Sequence, residues 1–410
     1  MESLPYWFRG QNPIRGEGEI PAAADLVIIG AGITGASVAW WASRARLGSV
    51  WILEERPAPA TGASGRNAGF NLAGTVTPYP ELIRRFGREA ARAIWAYTIE
   101  NNRAVRATLE ELGYDVELVR SGSLLLAASE AERADQLLAA ALLREDGFPV
   151  ESLEHDDVAR LWGFPVPDRF WGALFNPEDA RWNPAKASQG LLRSAQLEGA
   201  RLALESPVWH LEEGSGSVRL YTPKGRIEAG AVVLATNAWV GRLIRELVGR
   251  VVPVRAQVLA TAPIPRLFPH ATSTNYGYEY WQQDQEGRLI LGGYRWSVPD
   301  REIGCAVEGL RPEVQAGLER FLRQTFPQLA DVPIEYRWSG IMGFSYDELP
   351  LLGPVPGWSR LWMAGGYTGH GTAFAFWFGR DLVRALQEGW YPEGALRYFD
   401  TARLERLASV

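Results

Sequence analysis

The sequence predicts an α/β fold in which one domain carries a parallel sheet and a second domain is inserted into it. Three observations support this prediction. The apolar run at 25–29 leads into the glycine-rich stretch at 30–35 and a helical segment at 36–45, the order of strand, turn and helix. A second apolar run at 50–53 ends on the acid Glu54. Apolar strands that end in small-residue turns return in the middle and near the end of the chain, so the sheet combines distant segments.

The glycine-rich stretch is typical of a dinucleotide site. Gly30, Gly32 and Gly35 allow a tight turn, close approach of the backbone to a pyrophosphate, and close packing of helix on strand. Ile33 and Thr34 open the helix, whose N–H groups and dipole favour phosphate. Such a pattern alone arises by chance, but its place between a strand and a helix favours a Rossmann-like unit.

The acid end of the second strand is the predicted ribose contact. Glu54 lies 24 residues after Gly30 and can accept hydrogen bonds from adenosine ribose hydroxyls, which disfavours a 2′-phosphorylated cofactor. Glu55 is a second candidate beside it. Alternatively, Glu54 and Glu55 are two acidic residues exposed to solvent at the end of the strand.

Composition narrows the class of protein. The chain has 410 residues, which favours two domains, and its 47% apolar and 22% charged content is that of a globular protein. A net charge of −6 without a basic cluster argues against a nucleic-acid partner. No run reaches the ~18 apolar residues of a membrane helix. Cys305 is the single cysteine, which favours a reducing compartment and hence the cytoplasm. The oligomeric state stays open.

The remaining segments separate into helical and strand-rich stretches. Helical periodicity extends from 79 to about 140. Strand candidates lie at 254–261, 276–282, 288–291 and 361–364, ahead of a closing helix at 372–388. The predicted boundaries are 1–80, 152–250 and 336–410 for a discontinuous dinucleotide-binding domain, and 81–151 and 251–335 for a substrate or cap domain with a mixed sheet.

Three further stretches resemble the D-amino acid oxidase-like (DAO) family of flavoproteins. The stretch at 61–69 is similar to its GxSxRNxG segment, that at 233–239 to its ATNA segment, and that at 365–372 to its GYTGHG loop. The resemblance implies an FAD-binding domain of the glutathione-reductase type. The implied cofactor contacts are Ala63, Ser64, Arg66, Asn67, Ala68, Gly69, Val208, Ala235, Thr236, Asn237, Trp239, Gly366, Tyr367, Gly369, His370, Gly371 and Thr372. In this interpretation Arg66 supplies positive charge near the cofactor.

Within this family the chain most resembles the glycine and sarcosine oxidase and γ-glutamylputrescine oxidoreductase branches. Sarcosine oxidases attach FAD through a cysteine in the stretch that matches 340–344, and dimethylglycine dehydrogenases through a histidine near Arg66; neither residue is present. Non-covalent FAD is therefore expected. Sarcosine oxidases also carry an oxygen-activating lysine on a strand similar to 288–293, which has none here.

The resemblance implies oxidation of a C–N bond in a small amine or amino acid, with hydride transfer to flavin N5 and hydrolysis of the imine. His370 is the expected catalytic histidine, although it could instead hold its loop in place. Tyr278 and Tyr280 alternate with Tyr276 along one predicted strand, and such an aromatic wall would suit a cationic amine, as would a packed sheet face. Trp338 is the last candidate, in a W-x-G stretch of the γ-glutamylputrescine branch.

The arginine that binds the substrate carboxylate in the glycine oxidase branch is missing at its expected place. That branch carries an arginine shortly before a segment similar to 347–353, but 339–346 contains neither Arg nor Lys. Arg255 or Arg295 could serve from another strand. The missing arginine shifts the expected substrate toward secondary amines or polyamine-like molecules.

Three alternatives to an oxidase remain. One is a dehydrogenase that passes electrons to an acceptor other than oxygen. Another is a non-catalytic flavin-binding subunit of a larger complex. A nicotinamide enzyme would explain the glycine turn but not the stretches at 61–69 and 365–372. No metal site is predicted, because the four histidines are scattered.

Overall fold

The computed structural model describes residues 5–407. The strands are β1 (Ala23–Ile29), β2 (Val50–Leu53), β3 (Phe70–Asn71), β4 (Ser123–Leu126), β5 (Glu151–Leu153), β6 (Ala173–Asn176), β7 (Ala180–Arg181), β8 (Arg201–Ala203), β9 (His210–Glu213), β10 (Val218–Thr222), β11 (Gly225–Leu234), β12 (Val251–Pro263), β13 (Ala271–Thr274), β14 (Glu279–Gln283), β15 (Arg288–Gly293), β16 (Ile334–Ser345), β17 (Leu351–Pro354) and β18 (Leu361–Gly365).

Eleven α-helices are found within these described residues. They are α1 (Ile33–Arg44), α2 (Ala63–Arg66), α3 (Tyr79–Phe86), α4 (Arg88–Glu111), α5 (Glu130–Glu145), α6 (His155–Trp162), α7 (Pro184–Leu197), α8 (Val240–Leu243), α9 (Pro312–Thr325), α10 (Ala375–Glu388) and α11 (Leu396–Phe399). Residues 5–407 contain no helix with the length and apolar content needed to cross a membrane.

The first sheet confirms the predicted α/β class and the predicted βαβ unit. Its strands follow the order β17-β18-β11-β1-β2-β8, in which all neighbours from β18 to β8 are parallel. The central strand β1 is an apolar run with both faces covered, the composition that a buried parallel strand requires. The helix α1 packs against α7 and α10, so the first and last parts of the chain meet on one face of this sheet.

The second sheet forms the wall that faces the dinucleotide-binding features. It is mixed and follows the order β16-β12-β15-β14-β13-β4-β6-β5. Its long pair, β12 and β16, is antiparallel from Val251↔Ser345 to Thr261↔Ile334. A separate core of α9, α6 and the outer side of the sheet includes Trp281 and Phe326.

Sheet membership differs from the predicted domain division at three strands, β5, β6 and β16. The strands β5 and β6 lie in the second sheet, although the prediction assigned 152–250 to the dinucleotide-binding domain. The strand β16 also lies in the second sheet, although most of it falls within 336–410. The partners of β6 and β16 are set by register with β4 and β12, which lie in distant segments of the chain and cannot be read from the local sequence. The rest of the division stays a prediction.

Candidate active site

One cavity of about 1370 Å³ lies between the two sheets. Its volume exceeds the ~300–1,000 Å³ of ordinary small-molecule pockets, so a dinucleotide and a second molecule fit together. Most predicted site residues line it: Gly30, Gly32, Ile33, Thr34, Glu54, Glu55, Ala63, Ser64, Arg66, Asn67, Ala68, Val208, Ala235, Thr236, Asn237, Trp239, Tyr278, Tyr280, Tyr367, Gly369, His370, Gly371 and Thr372. The predicted residues that are absent from its lining are Gly35, Gly69, Gly366 and Trp338.

The glycine turn has the geometry of a phosphate cradle. Gly30 has φ of +104°, and a Cβ there would lie 2.8 Å from the carbonyl oxygen of Ala235, so only glycine fits. The N–H of Ile33 donates to Ser64 Oγ at 2.9 Å, which ties the helix start to the 61–69 stretch. The next two N–H groups of α1, on Thr34 and Gly35, have no acceptor within the helix and can bind an anion.

Glu54 is buried at the predicted ribose position. Its Oε2 accepts from the N–H of Ala31 at 2.7 Å and its Oε1 from the N–H of Arg56 at 3.0 Å. Burial raises the pKa of Glu54, and the two N–H groups oppose that rise. The carboxylate is thereby fixed at the edge of the glycine turn. Glu55 is exposed and lies 3.9 Å from the guanidinium of Arg242.

Arg66 lies in the cavity lining, where protein groups bind its guanidinium. Its Nε donates to the carbonyl of Thr61 at 2.6 Å, its Nη1 to the carbonyl of Ser339 at 3.0 Å, and its Nη2 lies 3.1 Å from the carboxylate of Glu308. Arg56 binds the same carboxylate at 2.8 Å. Glu308 therefore neutralises charge beside the cavity and joins the segment before α9 to the 61–69 stretch. We call Arg56, Arg66 and Glu308 the arginine clamp.

The middle and C-terminal stretches meet beside the glycine turn. Asn237 Oδ1 accepts from the N–H of Gly366 at 3.0 Å, which links the ATNA-like segment to the last loop. Thr236 lines the cavity, and its buried Oγ1 has no hydrogen-bond partner among the described residues. Buried hydroxyls without a partner are uncommon, so this atom indicates a ligand group at this place.

His370 lies in the cavity wall. Its Nδ1 is 3.4 Å from the carbonyl oxygen of Thr368, the geometry of an N–H donor on Nδ1. Burial lowers the pKa of His370, which favours the neutral imidazole. With Nδ1 as donor, Nε2 is left as an acceptor.

The predicted row of tyrosines on one strand face is wrong. Asn275 and Tyr276 have φ of 53° and 52° and form a turn, so β14 begins only at Glu279 and neither Tyr276 nor Tyr278 shares a strand face with Tyr280. The exposed Tyr276 instead donates its hydroxyl to Asp135 at 2.8 Å. Tyr278 and Tyr280 do line the cavity, and burial raises the pKa of Tyr280 to about 12.

Trp338 lies behind the cavity wall. It is buried, and its Nε1 donates to the carbonyl oxygen of Arg66 at 2.8 Å. The structure therefore contradicts the prediction that Trp338 touches the reacting molecules. It holds the 61–69 stretch in position instead.

Of the two candidate arginines, only Arg295 faces the cavity. Arg255 forms a buried ion pair with Glu302 and is absent from the lining. The Arg295 guanidinium lies 4.9 Å from the ring centre of Tyr278 and 5.3 Å from that of Phe344. Among the residues that the structure describes, Arg295 has no carboxylate partner, whereas the other lining arginines each have one: Arg56, Arg66, Arg84, Arg85 and Arg242.

Sequence reasoning missed several residues of the site. Glu308 of the arginine clamp and the polar lining residues Gln136, Asn176 and Asp179 were not predicted. Each stands alone among apolar or surface residues in the sequence, and no spacing rule links it to a glycine motif. Only the register of the second sheet brings them to the cavity.

Comparison with known proteins decides the family. Residues 25–385 match the DAO family model, described as FAD dependent oxidoreductase. The chain belongs to this family. The γ-glutamylputrescine oxidoreductase of Escherichia coli is 26% identical over 375 residues, which cover 88% of this chain and 83% of that one. The glycine oxidase of Bacillus licheniformis is 26% identical over 362 residues, covering 86% and 89%.

Solved structures confirm the DAO fold. Glycine oxidase from Geobacillus kaustophilus superposes with a TM-score of 0.79 at 24% identity, covering 93% of this chain and 99% of that one. As a DAO family member the protein is an FAD-dependent oxidoreductase. The residues present fit FAD, because the glycine turn leaves room for a pyrophosphate and Thr236 has an unpaired buried hydroxyl next to it.

Proposed function

We propose that this enzyme oxidises the C–N bond of an amine or amino acid. The observation that carries the proposal is the continuity of the cavity, which joins the dinucleotide cradle at Gly30 and Glu54 to a wall of Tyr278, Tyr280 and His370. A substrate against that wall lies next to the loop at 366–372, where the family holds its flavin. The names of the relatives, which act on amines and amino acids, support the same reaction class.

In this reaction the carbon next to nitrogen loses a hydride and the nitrogen loses a proton, which leaves a C=N bond. Water then adds to the carbon and the C–N bond breaks. Bound FAD supplies the hydride acceptor. Glu54 would hold the ribose, and the N–H groups of Thr34 and Gly35 the pyrophosphate.

His370 would accept the proton that the ammonium group of the substrate loses. The amine must be neutral before its carbon can lose a hydride. A neutral His370 with Nδ1 bonded to the Thr368 carbonyl presents Nε2 as an acceptor for the ammonium proton. Tyr278 and Tyr280 would form an aromatic surface that excludes water and attracts the cationic form on entry.

Arg295 favours a substrate that carries a carboxylate. A guanidinium that faces a cavity without a carboxylate partner is suited to bind one from a ligand. Arg295 therefore favours amino acids or N-substituted amino acids as substrates, in place of the secondary amines or polyamine-like molecules expected from the sequence. Polyamine-like substrates without a carboxylate remain the second candidate.

The test is anaerobic reduction of the purified yellow protein. We expect the absorbance near ~450 nm to bleach with at least one member of a panel of glycine, sarcosine, proline, D-amino acids and polyamines. Rapid recolouring in air would identify an oxidase, and slow recolouring a dehydrogenase with another acceptor. A flavin that no member bleaches would contradict the proposal and favour a non-catalytic subunit.

Two finer points belong to the same proposal. FAD is held non-covalently, which the lack of cysteine in 340–344 supports, so acid precipitation should release all yellow colour into the supernatant. The enzyme works in the cytoplasm, which its single cysteine supports. Cell fractionation with an antibody tests the second point.

A further inference from the structure

The N-terminal segment, residues 5–17, contacts both sheets before β1 begins. Its start is anchored at the second sheet, where the hydroxyl of Tyr6 donates to Asp284, directly after β14, at 2.6 Å. Its end is anchored at the first sheet, where the N–H of Glu17 donates to the carbonyl oxygen of Leu202 in β8 at 2.6 Å. The segment therefore crosses between the two sheets that enclose the cavity.

Trp7 of this segment holds the stretch at 61–69 from behind. The residue is 2% exposed and absent from the cavity lining, and its Nε1 donates to the carbonyl oxygen of Asn67 at 2.8 Å. Phe8 lies beside the same stretch, since a Cβ at Gly65 would come within 2.5 Å of its ring. The shape of the family-like stretch thus depends on residues far before it in the sequence.

Three successive carbonyl oxygens of this stretch each accept a hydrogen bond from a buried side chain. The pairs are Trp338 Nε1 with Arg66, Trp7 Nε1 with Asn67, and Gln282 Nε2 with Ala68. The three donors belong to β16, the N-terminal segment and β14, and none of them lines the cavity. The backbone at 66–68 is therefore held from outside the cavity by three separate elements.

The N–H of Ala68 has no acceptor among the described residues, although Ala68 is only 5% exposed. Residues 5–407 contain no cis peptide bond, and in a planar trans peptide the N–H points opposite to the C=O. Because the C=O of Asn67 points at Trp7 behind the wall, the N–H of Ala68 points away from Trp7. Ala68 itself lines the cavity. A buried N–H without an acceptor is rare, so this one indicates an acceptor on a bound molecule.

Ala68 lies between the phosphate cradle and the aromatic wall. Earlier in the same stretch, Ser64 accepts from the N–H of Ile33 at the start of α1. Just after Ala68, the ring of Phe70 lies 6.0 Å from that of Tyr280 in the wall. FAD with its pyrophosphate at the glycine turn and its flavin ring toward that wall passes Ala68 with the flavin half.

We propose that the N-terminal segment is a positioning element of the flavin site, in which Trp7 fixes the peptide between Asn67 and Ala68 so that the N–H of Ala68 donates to the flavin ring. Such a donor stabilises the negative charge that the ring gains on reduction. Trp7 is a positioning residue, because it acts through this peptide. The inference depends on FAD binding and goes beyond the proposed reaction, since it is independent of which amine is oxidised.

Trp7→Phe tests the proposal. Phenylalanine keeps an aromatic ring in the same place but has no N–H for the carbonyl of Asn67. We expect the apoprotein of the variant to bind oxidised FAD about threefold more weakly, as titration of flavin fluorescence measures. Reduced FAD should lose about tenfold more than oxidised FAD, which lowers the two-electron potential of the bound flavin by about 30 mV in equilibration with a reference dye.

Trp41→Phe is the matched control. The Nε1 of Trp41 donates to the carbonyl oxygen of Phe376 at 3.0 Å, and neither residue lines the cavity. This variant loses the same kind of hydrogen bond but should keep the native FAD affinity and potential. Equal shifts of the potential in Trp41→Phe and Trp7→Phe would show a general loosening of the fold and overturn the proposal.

Ala68→Pro removes the proposed donor directly and leaves Trp7 in place. Asn67 has ψ of 174°, an extended conformation that is compatible with a following proline. We expect the same fall in potential as in Trp7→Phe, and no further fall when the two changes are combined, because both act on one hydrogen bond. Additive falls, or a native potential in Ala68→Pro, would overturn the proposal even if Trp7→Phe does not fold.

Binding of ADP separates the flavin ring from the phosphates. ADP carries the adenosine and two phosphates without the flavin, so calorimetric titration should give equal dissociation constants for native and Trp7→Phe apoprotein. Equal losses of affinity for ADP and FAD would place the N–H of Ala68 at the phosphates and overturn the flavin contact. Native FAD affinity and potential in Trp7→Phe would overturn the role of Trp7.

Discussion

At the scale of single residues, Arg295 is the arginine of the cavity lining that has no carboxylate partner among the described residues. It is held between the rings of Tyr278 and Phe344 and has no carboxylate partner in the described chain. We expect Arg295→Gln to raise KM for carboxylate-bearing substrates by about 10- to 100-fold, because a charge-assisted hydrogen bond of ~1.5–3 kcal/mol is lost. Steady-state kinetics with an amino acid and its decarboxylated amine gives the comparison.

The control for this variant is a nearby arginine outside the cavity lining. Arg301→Gln changes charge in the same loop, where only the backbone carbonyl of Arg301 contacts Arg295. It should leave both KM values as they are. If Arg295→Gln weakened both substrates equally, the guanidinium would serve the aromatic wall and not a carboxylate.

Asp179 is the residue with the clearest pH dependence. Burial raises its pKa from 3.8 to about 7, against the opposing hydrogen bonds from Ser123 and Ala73. Because the folded protein binds the proton more tightly than the unfolded chain, this contribution to stability is present below about pH 4 and is lost as pH rises through about 7. At ~1.4 kcal/mol per pKa unit the loss is at most about 4 kcal/mol.

Asp179→Asn should remove that loss. Asparagine keeps an acceptor for the N–H of Ala73 and cannot ionise. We expect the free energy of unfolding of the variant, relative to the native protein, to rise between pH 5 and pH 8. Urea unfolding at both values measures it. A difference that is constant with pH would mean that Asp179 titrates normally.

At the scale of elements, the arginine clamp connects two segments that are distant in sequence. Glu308 precedes α9 and binds Arg56, which lies before the stretch at 61–69, and Arg66, which lies within it. Glu308→Ala leaves a largely buried guanidinium without its carboxylate, which typically costs about 3–5 kcal/mol. We expect a lower free energy of unfolding and weaker FAD binding, measured by urea unfolding and by titration of the apoprotein with FAD.

Glu308→Gln is the matched variant for the clamp. It keeps the size and one acceptor oxygen but removes the charge, so it should fall between the native protein and Glu308→Ala in both measurements. Unchanged FAD affinity in Glu308→Ala would show that the 61–69 stretch keeps its shape without the clamp.

The same elements show where sequence reasoning succeeded and failed. The strand–turn–helix around Gly30 was predictable because its conformation depends on adjacent residues, with only glycine tolerated at φ of +104°. The strand at 276–282 was misplaced because Glu132, far away on α5, accepts from the N–H of Tyr276 and holds a turn there. Arg66 was predicted to be in the site, but its carboxylate partner Glu308 leaves no trace in local sequence.

The long-range pairs also explain the failure at Trp338. A tryptophan in a family-like stretch was expected to touch substrate, yet its N–H reaches the carbonyl of Arg66 across a distance that only the folded sheet determines. The cofactor cradle was therefore predictable, and the substrate side largely was not. Local backbone chemistry specifies the first, whereas the register of β13, β4 and β6 specifies the second.

At the scale of the whole molecule, the cavity between the two sheets makes the cofactor a structural link. A ligand that binds only the folded state stabilises it by about 4 kcal/mol at 1,000 times its dissociation constant. We expect FAD to raise the unfolding temperature of both sheets in a single transition. Calorimetry of apo- and holoprotein measures this effect. Two transitions, of which FAD shifts only one, would show that the cavity lining belongs to one sheet alone.

The paired strands β1, β11 and β18 are synthesised at very different times, and this affects how the enzyme folds in the cell. The first strand leaves the ribosome early, but its neighbour β11 and the edge strand β18 emerge much later, and α10 covers α1 last of all. At ~5–20 residues per second the delay is on the order of tens of seconds. During that time the apolar segment Leu26–Ile29 can pair with β2, but its other edge, which β11 covers in the folded sheet, is open to aggregation. The cavity lining extends from Ile29 to Thr372, so the complete flavin site forms only after nearly the whole chain has been synthesised.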